Sequence, residues 1–170
     1  MSKADEQRAW RAHTIYGQDD HSYAFTPEPA PGITVQFTLD DNARRPTKAY
    51  ADDAAWDVYA SRDERIMVGM VNVVHTGVHV HIPAGWYGQI LTRSGYAKRG
   101  LFVVGGVIDS GYTGEIRVLV YNASTVGLDI HPGDRVAQLV LLPVPRVRWQ
   151  EVDALPDTRR AANGFGSTGA

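Results

Sequence analysis

The chain of 170 residues contains no cysteine. Disulfides, thiolate metal centres and a cysteine nucleophile are therefore excluded. Long apolar runs are missing too. The opening residues, MSKADEQRAWRAH, are polar and charged and lack the apolar stretch of a signal peptide. No segment approaches the ~20 apolar residues of a membrane-spanning helix. The cytoplasm is the expected compartment. An excess of one charge is absent as well: 17 Lys and Arg stand against 19 Asp and Glu, a formal net charge of -2. Nothing pulls the whole surface toward nucleic acid or membrane, and neither is expected as a partner. Any anionic ligand has to be held by locally placed groups.

What is present falls into three zones, within a length that fits one domain plus tails. Residues 1–32 are polar and broken by Pro27, Pro29 and Pro31, and read as an extension with little core of its own. Residues 33–153 carry short apolar runs between turn residues. Residues 154–170 contain Gly164, Gly166 and Gly169 among small polar neighbours and read as a flexible arm. The middle zone is predicted to be all-β. Val78, Val80 and Ile82 alternate with His79 and His81, and Ile116, Val118 and Val120 alternate with Arg117, Leu119 and Tyr121. That period of two marks half-buried strands. Turn signals recur at Pro83-Ala84-Gly85, Asp109-Ser110-Gly111 and Pro132-Gly133-Asp134, the texture of a sandwich or barrel. One short helix is expected, with Ser94 as its N-cap, Tyr96 to Arg99 as its turn and Gly100 as its end.

Several groups of residues could carry chemistry. Arg93-Ser94-Gly95 at the helix mouth makes an anion cradle, or simply a cap beside a surface charge. In Gly106-Val107-Ile108-Asp109-Ser110-Gly111-Tyr112, a carboxylate at a strand end can orient or deprotonate water, with an aromatic nearby to pack on a flat ligand. The same residues would also serve a plain hairpin. Arg135, Gln138 and Asp57 are polar residues within apolar runs, facing either solvent or a polar cleft. In the arm, Phe165 sits among glycines without core periodicity and is suited to closing over a planar base. Arg160, Ser167 and Thr168 are suited to phosphate oxygens. His75, His79 and His81 allow a cupin-like metal site, but no glutamate follows at ligand spacing, and a solvent-facing strand explains them more simply.

The order of these segments resembles that of the trimeric dUTPase family across residues 33–170. Five motifs follow in sequence: Ala54-Ala55-Trp56-Asp57-Val58-Tyr59-Ala60; Arg93-Ser94-Gly95-Tyr96-Ala97; Gly106 through Glu115; Gly133-Asp134-Arg135-Val136-Ala137-Gln138; and Arg160 followed by Gly164 through Gly169. The resemblance implies a jelly-roll-like β-barrel subunit and a homotrimer that exchanges C-terminal arms, with each active site drawing on three chains. It implies dUTP as substrate and Mg2+ as cofactor, hydrolysis yielding dUMP and pyrophosphate. By position, Asp109 matches the carboxylate that directs water at the α-phosphorus. Gly106, Val107 and Ile108 match the backbone around uracil, and Tyr112 the aromatic under the deoxyribose. Arg93, Ser94, Gly95 and Gln138 match phosphate binders. Asp57 matches an acidic residue near the water shell of the magnesium. Phe165 and Gly166 match the lid over uracil, and Arg160, Ser167 and Thr168 the γ-phosphate clamp.

The chain departs from the family pattern at Ala55, Trp56, Thr92, Gly111, Ala161 and Asn163, none of which removes a named chemical group. A related fold, dCTP deaminase, needs a proton-shuttling glutamate in the strand after the third motif, where Leu119 stands here. A dUTPase-like protein with a regulatory, protein-binding role is the non-enzymatic alternative.

Overall fold

The computed structural model describes residues 32–158 and residue 161. Among the described residues, ten strands and one short helix follow in order: β1 (Gln36–Leu39), β2 (Trp56–Tyr59), β3 (Glu64–Ile66), β4 (Val71–His81), β5 (Trp86–Leu91), α1 (Ser94–Ala97), β6 (Leu101–Val103), β7 (Val107–Ile108), β8 (Glu115–Asn122), β9 (Leu128–Ile130) and β10 (Arg135–Pro143). One four-stranded sheet has the order β1-β4-β8-β6, a second β2-β10-β5-β7, and β3 pairs with β9 in a small third sheet. The fold is nearly all-β and jelly-roll-like, as expected.

Alternation in the sequence sets which residues enter the core. Val74, Val78 and Val80 of β4 and Ile116, Val118 and Val120 of β8 point inward from the first sheet. Val58, Ile90, Ile108, Val136 and Leu139 meet them from the second. Each such side chain contributes roughly 1.5–3 kcal/mol by leaving water. Two polar side chains are fully buried, and both are bonded. The Thr76 hydroxyl donates to the Ile116 carbonyl at 2.6 Å. The Asn122 amide donates to the carbonyls of Ile66 and Val126, and its oxygen accepts from Ser124.

The three turns lie where the sequence signals them. The Trp86 amide closes on Pro83, Tyr112 on Asp109, and Asp134 on His131. One local expectation is corrected and one alternative is excluded. The N-cap of α1 is Arg93, whose backbone is extended and whose side chain makes no cap bond; Ser94 is already the first helical residue. Tyr96 and Ala97 both donate to the Arg93 carbonyl, which starts the turn one residue early. Nor is the segment through Asp109 a plain hairpin. β7 pairs with β5 in one sheet, while β8 pairs with β4 and β6 in the other. Residues 109–114 therefore carry the chain from one sheet to the other.

The outward face of the first sheet is unusually apolar. Val71 lies opposite Tyr121 and Val73 opposite Leu119, with Phe102 beside Tyr121, and all five are exposed. Leu119 thus belongs to a flat apolar face rather than to a polar site. After β10 the chain continues without regular structure, leaving Trp149 93% and Leu155 84% exposed. Among the described residues no helix is long and apolar enough to cross a membrane.

Candidate active site

Three of the sequence motifs converge on the second sheet. In β10, Gln138 lies opposite Asp57 of β2 on one side and opposite Leu91 of β5 on the other. Directly paired residues share a face, and Arg93 follows Leu91 by two, so Asp57, Gln138 and Arg93 emerge together. The Asp57 carboxylate, 17% exposed, is bound at Oδ1 by Arg93 Nε at 2.9 Å and at Oδ2 by Arg135 Nη1 at 3.2 Å. Arg93 Nη1 also donates to the Arg135 carbonyl at 3.3 Å. Gln138 Nε2 donates to the Thr92 carbonyl at 3.3 Å. Two guanidinium groups share one carboxylate, so the cluster keeps a net positive charge suited to an anion.

The helix supplies the next part. Ser94 and Gly95 are its first two residues and are exposed, with amides that lie ahead of the first intrahelical bonds. Beside them a shallow groove of about 250 Å³ is lined by Arg93, Tyr96, Arg99, Asp134 and Arg135, among others. Burial, and then the nearby Asp134 carboxylate, push the Tyr96 phenol above its ordinary value and keep it neutral. Thr92, one of the departures from the family pattern, accepts a hydrogen bond from the Val103 amide through Oγ1 at 2.7 Å. In doing so it fixes the approach to Arg93.

Asp109 lies elsewhere. It follows β7 at the opposite edge of the same sheet, is exposed, and its side chain makes no hydrogen bond or ion pair among the described residues. Ile108 is opposite Gly88, whereas Gln138 is opposite Leu91. Asp109 is thus four strand positions along and two strands across from Gln138, a separation of roughly 16 Å. Gly106 holds the entry to this loop in a left-handed conformation (φ 92°), and an added Cβ would stand 2.8 Å from the Ile90 carbonyl. Only glycine fits there. Val107 is exposed and Ile108 buried. Tyr112 is 44% exposed, and its hydroxyl donates to the Glu115 carbonyl at 2.9 Å. The structure therefore groups Asp57, Arg93, Ser94, Gly95 and Gln138 in one place, and Gly106, Val107, Ile108, Asp109 and Tyr112 in another. Arg160, Phe165, Gly166, Ser167 and Thr168 lie outside the described residues.

Two residues without an assigned role also emerge. Arg135 shares the Asp57 carboxylate, a pairing that depends on the β2–β10 register. Among the described residues Glu115 is the most heavily bonded carboxylate: it accepts from His75, from the Thr76 and Gly77 amides and from Arg117. A polar residue opening an otherwise alternating strand was the available signal. Two of the three strand histidines are likewise paired, His75 with Glu115 and His79 with Asp40.

The metal question turns on Asp57. Both of its oxygens are engaged by arginines, yet each keeps a lone pair able to accept from a metal-bound water. Among the described residues no cluster of three or more His, Asp or Glu side chains could hold a metal ion. These donors fit a magnesium ion held mainly by ligand phosphates and retaining its waters.

A nearly all-β fold with an arginine-rich anion site on one sheet and an exposed carboxylate at that sheet's far edge defines the class: a binder of a small phosphorylated ligand. The dUTPase family model matches residues 41–169. The deoxyuridine 5'-triphosphate nucleotidohydrolase of Yarrowia lipolytica is 40% identical over 140 residues, 81% of this chain and 88% of that protein. The Saccharomyces cerevisiae protein of the same name is 43% identical over 130 residues, 75% and 88% respectively. Among solved structures, a dUTPase mutant of Staphylococcus bacteriophage 80alpha with dUpNHpp matches with a TM-score of 0.75 at 26% identity, covering 81% of this chain and 99% of that one. A mutant dUTPase from phage phi11 of S. aureus, described as coordinating a structural Mg(II) ion, matches with a TM-score of 0.67 at 25% identity, covering 72% and 98%. The chain belongs to the dUTPase family.

Proposed function

We propose that the chain hydrolyses dUTP to dUMP and pyrophosphate, in a site completed by neighbouring copies of itself. The observation that carries this reading is the split between the two halves of the site. Within one copy, Gln138 and Asp109 start from backbone positions roughly 16 Å apart, a poor fit to one α-phosphate and the water that attacks it. Asp109 of one copy and the Arg93 cluster of another can meet across a subunit boundary. Two further features support the assembly. The outward face of Val71, Val73, Phe102, Leu119 and Tyr121 is apolar and exposed, as expected of a surface that another copy covers. The segment after β10 carries Trp149 and Leu155 into solvent, as expected of an arm that packs elsewhere. A threefold homotrimer with exchanged arms satisfies both.

In this reading Arg93, Ser94, Gly95 and Gln138 bind the phosphates. The backbone of Gly106, Val107 and Ile108 faces uracil, and Tyr112 packs against the deoxyribose. Asp109, exposed and without a side-chain partner among the described residues, orients a water and takes its proton as the water attacks the α-phosphorus in line. The bond from the α-phosphorus to the bridging oxygen breaks, and pyrophosphate leaves. Mg2+ bound to the triphosphate would neutralise its charge, with Asp57 reaching the ion's waters. Arg160, Ser167 and Thr168 close on the γ-phosphate and Phe165 with Gly166 on the base. The protein acts in the cytoplasm, where it limits uracil in DNA and supplies dUMP.

The test is a nucleotide panel of dUTP, UTP, dTTP and dCTP with Mg2+, following pyrophosphate and ammonia. Selective pyrophosphate release from dUTP is expected, and Asp109→Asn should nearly abolish it while dUTP still binds. Ammonia from dCTP, or an Asp109→Asn variant of normal rate, overturns the reading.

A further inference from the structure

The Tyr112 ring rests directly on the backbone two residues further along. A Cβ placed on Gly114 would stand 2.5 Å from Tyr112 Oη, 2.6 Å from Cζ and 2.9 Å from Cε2. Any side chain here would push the ring aside, because the atoms it meets are all at the far end of Tyr112. Gly114 is not among the glycines with left-handed backbone, so what its missing Cβ provides is the ring's resting place and not a special chain conformation. The ring is held at its far end as well, because Tyr112 Oη donates to the Glu115 carbonyl at 2.9 Å.

Glu115 is itself fixed. Its Oε1 accepts from the Thr76 and Gly77 amides at 3.1 and 3.0 Å. Its Oε2 accepts from His75 Nδ1 and Arg117 Nε, both at 2.9 Å. Thr76 and Gly77 lie where the β4–β8 register breaks, between His75 and His79. The carboxylate thus fills the irregularity in β4 and pins the start of β8, the point from which the loop carrying Tyr112 hangs. One side of the ring lies on Gly114, and enough of the rest is exposed to meet a ligand.

We propose that Gly114 and Glu115 are positioning residues that fix the Tyr112 ring and thereby set discrimination at the 2′ position of the sugar. The inference rests on the reading that Tyr112 packs against the deoxyribose. With no Cβ beneath it, the ring settles against the chain at one height. The Glu115 carbonyl stops it from rotating away. A ring held at fixed height and tilt leaves a fixed clearance for the sugar, so an added 2′-hydroxyl is met by a surface that cannot yield.

The test compares kcat and KM for dUTP and UTP in the wild type, Gly114→Ala, Tyr112→Phe and Tyr112→Ala. Gly114→Ala is expected to lower the dUTP:UTP ratio of kcat/KM at least tenfold, chiefly through KM. Tyr112→Phe, which removes only the hydroxyl, should lower it several-fold and decides the matter alone if Gly114→Ala does not fold. Should Tyr112→Ala leave the ratio unchanged, Tyr112 is not at the sugar and the underlying reading fails. Should Tyr112→Ala change it while Gly114→Ala and Tyr112→Phe stay within twofold of the wild type, the positioning inference alone is overturned.

Discussion

Replacing Glu115 with glutamine keeps the shape of the side chain and removes its charge. Burial opposes the ionised carboxylate, yet the Gly77 amide, Arg117 and His75 outweigh it and take the group from 4.5 down to about 2. A gap of that size corresponds to about 3 kcal/mol of preference for the charged form in the fold. The side chain keeps 12% of its exposure and Arg117 is 58% exposed, so solvent screening reduces the effect to about 2 kcal/mol. Glutamine can still accept from the Thr76 and Gly77 amides. Its NH2 group then faces the Arg117 donor, which has lost its acceptor. A loss of about 2 kcal/mol lowers Tm by about 4–8 °C in a chain of this size. The sign follows from the direction of the shift. A carboxyl lowered in the fold stabilises above its unfolded value of 4.5, and that contribution disappears as pH falls toward 2. The difference between wild type and variant should be complete at pH 7, shrink below pH 4.5 and vanish near pH 2. Denaturant unfolding at one fixed protein concentration, stepped through this range, measures it. A difference under about 0.5 kcal/mol at pH 7, well below the expected loss, refutes the reasoning. So does one that does not shrink between pH 4.5 and 2.

Asp57→Asn should raise KM for dUTP about tenfold, because Arg93 and Arg135 lose the charge that orients them, while the fold survives because asparagine keeps the shape and one acceptor oxygen. A fold lost along with the activity, or an unchanged KM, counts against the assigned geometry. Leu119→Lys places an ammonium in the middle of the apolar outer face, and sedimentation should show the proposed trimer giving way to monomer. A trimer that survives at micromolar concentration would remove this face from the interface.

Much of the fold was legible because strand faces are written locally. Val78 and Val80 mark the inward face of β4, with Ile82 continuing it just past the strand end, and Ile116, Val118 and Val120 mark that of β8. The chain needs no long-range information to reveal such alternation. The helix start was misplaced by one residue because Ser94 has the chemistry of a cap, while the backbone turned on the Arg93 carbonyl instead. The plain-hairpin alternative at Asp109 is excluded for a different reason. Turn residues specify a reversal but not the partner strand, and β7 found β5 rather than β8. The Arg135–Asp57 pair joins residues 78 positions apart and exists only through the β2–β10 register. The contact between Tyr112 and Gly114 is local, but a ring lying on a glycine leaves no pattern that separates it from an ordinary turn.

The same sheet explains why ordered motifs were informative while single residues were not. β10 is the shared neighbour of β2 and β5, so one strand aligns Asp57, Gln138 and the approach to Arg93, three segments remote in sequence. Any substitution that slipped β10 by one residue would turn Gln138 inward and scatter all three. Asp109 is tied to this sheet only through the short β7, two strands away, and its loop is anchored instead on the opposite sheet through Glu115. Half of the proposed site therefore depends on the register of one sheet, and the other half on the seam between the two. A homotrimer that joins those halves from different copies lets each be held rigidly by its own subunit, with no single chain bent to bring them together.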